Sequence, residues 1–249
     1  MDDAALNHST WRSIAAFQRL FGLHAPDAQL LEHPDFVASA VPASFSSLVN
    51  AAVPIDGAAL APHLDHIADL YARARIAKWG VWIDPAASAE AQALQNHGLV
   101  LDSTPGLMAA ELAAIERTQD PRVDTVTLEE LGAVNDAAYG IPPGTIATAL
   151  AGIPPTAVHA CGVRDGDAPT AVAVVQDVED DAFVSFVATL PDHRGRGLAS
   201  QILSHALHHA EQRGQRTSSL QASRLGQSIY ARLGYHLLGE IHLYEMRPK

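Results

Sequence analysis

The sequence predicts a mixed α/β protein with mixed sheets, organised as two units. Three observations carry that expectation. Apolar residues make up 48% of the 249 residues and charged residues 18%, enough for a packed core and too apolar for global disorder. Through the second half, apolar spacing switches between the strand period of two and the helical period. Between the halves, Glu116-Arg117-Thr118-Gln119-Asp120-Pro121-Arg122 is polar and contains a proline, which reads as a linker. The expected units are residues 1–115, an α/β domain, and residues 123–249.

The second unit is the better punctuated. Leu128, Leu131, Val134 and Ala138 predict a helix over Leu128 to Tyr139. Val158 to Val163 is short and β-prone, and Asp165-Gly166 then supplies a tight turn, because glycine takes positive φ without a steric penalty. Thr170 to Val178 and Phe183 to Leu190, joined by Glu179-Asp180-Asp181, complete three consecutive antiparallel strands. The period then changes. Leu198, Ile202, Leu203, Ala206, Leu207 and Ala210 lie on one face of a helix that Gly214 stops. A strand at Ser218 to Ala222, a helix at Leu225 to Leu233 ended by Gly234, and a strand pattern over Tyr235 to Met246 close the chain.

The first unit gives less. Ala58 to Ala77 reads as a helix, Lys78 to Asp84 as a strand, Ser88 to His97 as a helix and Gly98 to Leu112 as extended chain. This tail parallels the end of the chain: Ser88–Leu94–Gly98–Met108 echoes Ser223–Tyr230–Gly234–Met246. A diverged internal duplication and a chance match between two α/β segments both account for the echo.

Composition also excludes. The formal net charge of −12 disfavours binding to phosphate backbones and mildly favours cationic partners such as amines. Cys161 is the single cysteine, so no intramolecular disulfide forms; a small buried hydrophobe is expected there. Met1-Asp2-Asp3 starts no basic-then-apolar leader, and the long uncharged stretch from Tyr139 to Val163 is broken by prolines and glycines. A cytoplasmic protein without a membrane span is expected. Of the 13 histidines, His63 with His66 and His205 with His208 and His209 sit at helical spacings, but no cysteine or carboxylate completes a familiar metal pattern, so surface histidines and no metal are expected.

The segment Arg194-Gly195-Arg196-Gly197-Leu198-Ala199 lies between a predicted strand and a predicted helix. Glycines there let backbone N–H groups approach a ligand, and the first N–H groups of a helix have no intrahelical partners. They present the positive end of the helix dipole to one place, which suits a diphosphate. A plain structural turn and a fragment of an Arg-Gly RNA-binding tract are the competing readings, the second weakened because a single copy is not low complexity.

With its flanks, Phe186 to Ala199 resembles the acetyl-CoA-binding motif of the GNAT N-acetyltransferases, Arg/Gln-x-x-Gly-x-Gly/Ala, seen here as Arg194, Gly197 and Ala199. Downstream, Ala222-Ser223 followed by Gln227, Ser228, Tyr230, Leu233, Gly234 and Tyr235 resembles that family's second signature, with Ser223 where Asn is common. The resemblance covers roughly Asp124 to Lys249 and implies a GNAT-like acyl-CoA N-acyltransferase fold, in tandem with a degenerate N-terminal copy if the echo is a duplication.

The resemblance implies acetyl-CoA as acyl donor, held by the main chain of Val187, Ala188 and Thr189, by the loop Arg194, Gly195, Arg196, Gly197, Leu198 and Ala199, and by Ser223, Gln227 and Tyr230. Tyr230 resembles the family's general acid, and a main-chain N–H at Val187 or Ala188 is the nearest donor for the thioester oxygen. Direct attack by a primary amine of a small molecule or peptide is the implied reaction. No base is legible; His159, Asp177, Glu179 and Ser185 lie on or near the right strands. The loop Tyr139 to Gly144 takes the position that lines the acceptor site in that family, and it is apolar; Tyr139 and Ser185 are the acceptor-site candidates. The first half has no comparable glycine loop, so it is expected to bind no CoA and to cover the acceptor cleft or complete the fold. A non-catalytic acyl-CoA-binding module is the alternative, and a homodimer formed through the first half is compatible with either.

Overall fold

The computed structural model describes residues 1–248. The chain opens with a 22-residue helix, α1 (Asp3–His24), whose first turn is capped by the Asp2 carboxylate accepting from the Ala5 N–H at 2.8 Å. Strands β1 (Gln29–His33), β2 (Phe36–Ala40) and β3 (Ala51–Pro54) follow, then α2 (Leu64–Arg73), β4 (Trp79–Ile83), α3 (Ser88–Asn96), β5 (Val100–Ser103) and β6 (Gly106–Glu111). After the coil at 116–122 come β7 (Val123–Thr125), α4 (Leu128–Tyr139), α5 (Thr145–Leu150), β8 (His159–Asp165), β9 (Ala168–Val178) and β10 (Asp181–Thr189). Helix α6 (Leu198–Gln212), β11 (Thr217–Ala222), α7 (Gln227–Leu233), β12 (His236–Glu240) and β13 (His242–Met246) finish the chain.

These strands form two mixed sheets. One has six strands in the order β1-β2-β3-β4-β13-β5, the other seven in the order β12-β6-β11-β10-β9-β8-β7. Each half therefore sends its last strand across. β6, from the first half, lies antiparallel to β11 and β12 of the second. β13, from the second half, lies antiparallel to β4 and β5 of the first. Apart from β7 at the edge of the second sheet, the two sheets repeat one order, down to a parallel pair (β3 with β4, β10 with β11) just before the inserted strand. The echoed residues occupy equivalent places. Gly98 and Gly234 both take positive φ, 96° and 106°, after a short helix, and Met108 and Met246 lie on the two crossing strands.

Helix α1 explains how the halves stay together. It packs against β1, β2 and β3 on one side and against β6, β9, β10 and β11 on the other. Trp11, Ile14, Phe17 and Phe21 join Val37, Val53 and Trp82 of the first sheet to Val172, Val174 and Phe183 of the second in one apolar cluster. Polar residues on α1 are paired both ways. Ser13 Oγ donates to Asp181 Oδ2 at 2.8 Å, and Gln18 Nε2 donates to Ser39 Oγ at 2.7 Å and to the Val49 carbonyl at 2.6 Å. Helix α6 covers the opposite face of the second sheet, packing Ile202, Leu203, Ala206 and Leu207 on Ala171, Ala173, Val175 and Val184.

Several sequence expectations are redrawn. Tyr235 to Met246 is two strands in different sheets, separated at the fully buried Ile241. Gly98 to Leu112 is likewise β5 and β6, for the same topological reason. The helix expected from Ala58 begins only at Leu64, after a short 3-10 turn opened by Pro62. Helix α5 lies inside the stretch read as loop. Asp136, itself buried, starts it by accepting from the Gly144 N–H (2.8 Å) and the Ile146 N–H (2.9 Å).

Candidate active site

Strands β10 and β11 begin as parallel neighbours, Asp181 to Val184 facing Thr217 to Leu220. Pairing then stops, although β10 runs on to Thr189 and β11 to Ala222. The cause is a bulge. The register with β9 slips between Ser185 and Ala188, and Phe186 takes φ of 49°. A left-handed conformation costs an aromatic residue about 1–2 kcal/mol, so it has to be held. The Phe186 ring packs on Phe17 and Phe21 of α1, with centroids 5.6 and 6.1 Å away, and its carbonyl accepts from Asn135 Nδ2 at 3.1 Å.

A cavity of about 410 Å³ opens where the strands part. Ser185, Phe186 and Val187 of β10, with Gln221, Ser223 and Tyr230, form one side. Asn135, Tyr139, Ile141 and Ile146 form a second, and Ile14, Phe17, Gln18 and Phe21 of α1, with Trp82 and Leu48, form a third. The first half of the chain therefore builds one wall of a cleft in the second half's sheet.

At the open end of β10 the chain turns through the glycine loop into α6. Gly195 and Gly197 both have φ of 76°, and nothing lies within 4 Å of a Cβ added to either. The protein itself thus requires glycine there for its backbone angle, and the space in front of the loop is open. Helix α6 starts at Gly197 with no side-chain cap and no acidic residue in its first turn. The N–H groups of Leu198, Ala199 and Ser200 are left without intrahelical acceptors, since Gln201 makes the first helical bond back to Gly197. Arg194 braces the loop: Nε donates to the Thr189 carbonyl at 3.1 Å and an Nη to the Ala138 carbonyl at 2.7 Å. Arg196 donates to the Asp192 carbonyl at 3.0 Å. These donors and this charge suit a diphosphate.

Tyr230 is 9% exposed. Its ring lies over Gly226, where a Cβ would come within 2.9 Å of Cε2, so the glycine makes room for it. Burial pushes the Tyr230 phenol well above its usual range, keeping it protonated at neutral pH, and the Tyr139 phenol adds to the shift. Its hydroxyl has no hydrogen-bond partner among the described residues.

The other expected residues are dispersed unevenly. Ser185, Val187, Ser223, Tyr139 and Tyr230 line the cavity. Ala188 is buried on β10, Thr189 sits at its open end, and Arg194 to Ala199 lie on the partly open surface beyond. Gln227 points elsewhere: its amide packs against Gly106 of β6. The carbonyls expected to face a donor are already in use on one lone pair, Val187 by the Tyr139 hydroxyl at 2.9 Å and Thr189 by Arg194. Of the four base candidates only Ser185 reaches the cavity. Asp177 is held by Arg213 at 2.6 and 2.9 Å and lies 3.4 Å from His159 Nε2, on the α6 side of the sheet, while Glu179 pairs with Arg12 at 2.6 Å. The Cys161 thiol is pushed up to about 12 by burial. His63 does not act with His66; it meets His33 and Asp35, with His63 Nε2 3.3 Å from Asp35 Oδ2. No described helix is long and apolar enough to cross a membrane.

Residues 172–238, from β9 to β12, match the model of the acetyltransferase (GNAT) domain. The C-terminal half carries a GNAT domain. A GCN5-related N-acetyltransferase from Kribbella flavida superposes with a TM-score of 0.66 at 20% identity, covering 96% of both chains. A putative GNAT acetyltransferase from Novosphingobium aromaticivorans gives 0.57 at 16% identity, covering 88% of this chain and 91% of that one. A tandem GNAT protein from the clavulanic acid biosynthesis pathway gives 0.55 at 12% identity, again covering 96% of both. These likenesses extend the GNAT fold over the first half as well as the GNAT domain. No curated protein matches the sequence.

Proposed function

We propose that the protein is an acetyl-CoA-dependent N-acetyltransferase that acetylates a primary amine. The observation that carries this reading is the cavity where β10 and β11 part, with Tyr230 in its wall and, beyond the end of β10 and outside the cavity's lining, the uncapped N-terminus of α6. The loop fits the donor's diphosphate through the Leu198, Ala199 and Ser200 N–H groups and the charges of Arg194 and Arg196. Val187, Ala188 and Thr189 would run beside the pantetheine arm, with Ser223 across the opening; Gln227, facing β6, would contribute only through its backbone.

Acetyl-CoA would supply an acetyl group activated as a thioester. The main-chain N–H of Val187 or Ala188 would steady the carbonyl oxygen as it gains negative charge. Tyr230, protonated at neutral pH, would give its proton to sulfur. The amine nitrogen forms the new bond to the acetyl carbon, the carbon–sulfur bond breaks, and the nitrogen's surplus proton leaves through water near Ser185 and restores Tyr230. No carboxylate or imidazole lines the cavity among the described residues, so the amine has to arrive neutral.

We divide the chain into a supporting unit, 1–115, and a catalytic unit, 123–249, with the exchanged strands β6 and β13 tying them. In this reading the supporting unit binds no CoA; it walls the acceptor site through α1. The expected setting is the cytoplasm. The missing base also suits a second reading, a non-catalytic acyl-CoA-binding module. Calorimetric titration with acetyl-CoA and a thiol-release assay, each run on the native protein and on Tyr230→Phe, separate the two. An enzyme loses about 10²-fold or more in turnover in the variant while keeping its affinity. Binding without turnover of any amine leaves the module.

A further inference from the structure

Resting on the acyl-transfer reading, we infer that the acceptor is a weakly basic amine, uncharged at neutral pH, carried on a compact aromatic or apolar body. The cavity wall holds no Asp, Glu, His, Lys or Arg among the described residues; its ionisable groups are the phenols of Tyr139 and Tyr230. An alkylammonium entering it would give up water and meet no counter-charge. The guanidinium of Arg194, bonded to the Ala138 carbonyl beside Tyr139, is of the same sign.

No group in the wall can take the surplus proton from such a cation. Asp177 and Glu179 are committed to Arg213 and Arg12, and His159 stands on the α6 side with Asp177. The Asp181 carboxylate, at the start of β10 and outside the cavity's lining, is engaged by Ser13, Thr217 and Ser219. An amine of lysine-like basicity, with a pKa of about 10.4, is neutral in only about one molecule in 2,500 at pH 7. An amine whose lone pair is delocalised into a ring carries no such penalty.

The wall fits that body. Phe17, Phe21, Trp82 and Phe186 give it ring faces, and Leu48 and Tyr139, 47% and 63% exposed, leave apolar surface at its mouth. A volume of about 410 Å³ leaves room for little more than one ring system beside the acyl thioester. The neutral polar groups suit an NH₂. Gln18 and Asn135 commit their amide nitrogens to Ser39, Val49, Leu131 and Phe186, so each offers a ligand its oxygen. Gln221 Nε2 is buried without a partner, a donor for a carbonyl or hydroxyl on the acceptor.

The test compares 4-methylaniline, phenethylamine, spermidine and glutamate at pH 7, by thiol release with acetyl-CoA and by calorimetry of each amine with the free protein. We expect 4-methylaniline to bind and to react with kcat/KM at least tenfold above phenethylamine, with spermidine and glutamate inert. Leu48→Glu, at an exposed position on the rim, should narrow or reverse that preference by supplying a counter-charge. A protein that binds acetyl-CoA but prefers phenethylamine, spermidine or glutamate overturns this inference and leaves the acetyltransferase reading standing. Failure to bind acetyl-CoA defeats that reading instead, and the calorimetric arm still decides: a cavity that takes phenethylamine, or none of the four, is not built for a neutral aromatic amine.

Discussion

Replacing Gly197 with alanine can separate backbone strain from ligand contact, because Gly166 offers the same strain elsewhere. Both glycines are left-handed, with φ of 76° and 62°, and neither has an atom within 4 Å of an added Cβ. Alanine in that conformation costs about 1–2 kcal/mol. For a chain of this length each 1 kcal/mol is worth roughly 2–4 °C in Tm, so both variants should melt about 2–8 °C lower. They differ in what the methyl group faces. Gly166 is in the turn joining β8 and β9, far from the cleft in topology, whereas Gly197 caps α6 in front of three unpartnered N–H groups. Acetyl-CoA affinity measured by calorimetry should fall at least about tenfold in Gly197→Ala, or about 1.4 kcal/mol, and stay at the native value in Gly166→Ala. Equal affinities in the two variants would refute the diphosphate reading of the loop, since the strain is matched and the location alone differs.

Three further outcomes test the framework around the site. Asp181→Ala leaves the buried hydroxyls of Ser13 and Ser219 without their acceptor, while Thr217 keeps the Asp180 carbonyl at 3.3 Å, and should cost about 2–6 kcal/mol by urea unfolding, with Asp181→Asn costing less because it keeps an oxygen there. The Arg164 guanidinium and the Thr127 N–H hold the Glu130 carboxyl down at about 2. A lowered pKa means the stabilisation is present above the usual carboxylate range and lost as pH falls through about 2. Glu130→Gln should therefore lose about 0.5–1 kcal/mol at pH 7, modest because the pair is partly solvated, with the gap to the native protein closing in strong acid. Cys161, half-buried with its thiol pushed up to about 12, should resist an aromatic disulfide reagent at neutral pH and react promptly in urea; fast labelling of the native protein would contradict that raised thiol.

The second half was legible because α6 carries a narrow apolar stripe and because β9 and β10, covered by α1 on one face and α6 on the other, are short continuous apolar runs bounded by polar turn residues. The glycine loop was legible as well, since both of its glycines are demanded by backbone angle. Helix α1 was missed for the opposite reason. Sandwiched between two sheets, it buries Leu6, Trp11, Ile14, Phe17 and Phe21 around much of its circumference and leaves no narrow apolar stripe. With it went the wall of the cleft, whose residues come from a helix nearly 170 positions upstream of the strand it faces, as Ser13 and Asp181 illustrate. Short elements set by tertiary bonds were also hidden; α5 depends on the Asp136 carboxylate, which a local reading sees only as a polar residue late in α4. Asn135 carried a usable signal, a buried amide on an otherwise apolar face, and it supports the carbonyl of the strained Phe186.

The crossing of β6 and β13 has a consequence for how this molecule can change. Each half needs a strand from the other to close the gap in its sheet, so cutting at the linker would leave two sheets each with an unfilled slot and a strand without a home. Partners locked in this way would, as separate identical chains, have to accept every substitution twice. Joined on one polypeptide, each half can be altered without altering its counterpart. The half that carries α1 is then free to do without a glycine loop of its own and to shape the side of α1 that faces the second sheet to the cleft there, and a change at Phe17 or Phe21 retunes that cleft while every residue of the loop stays as it was.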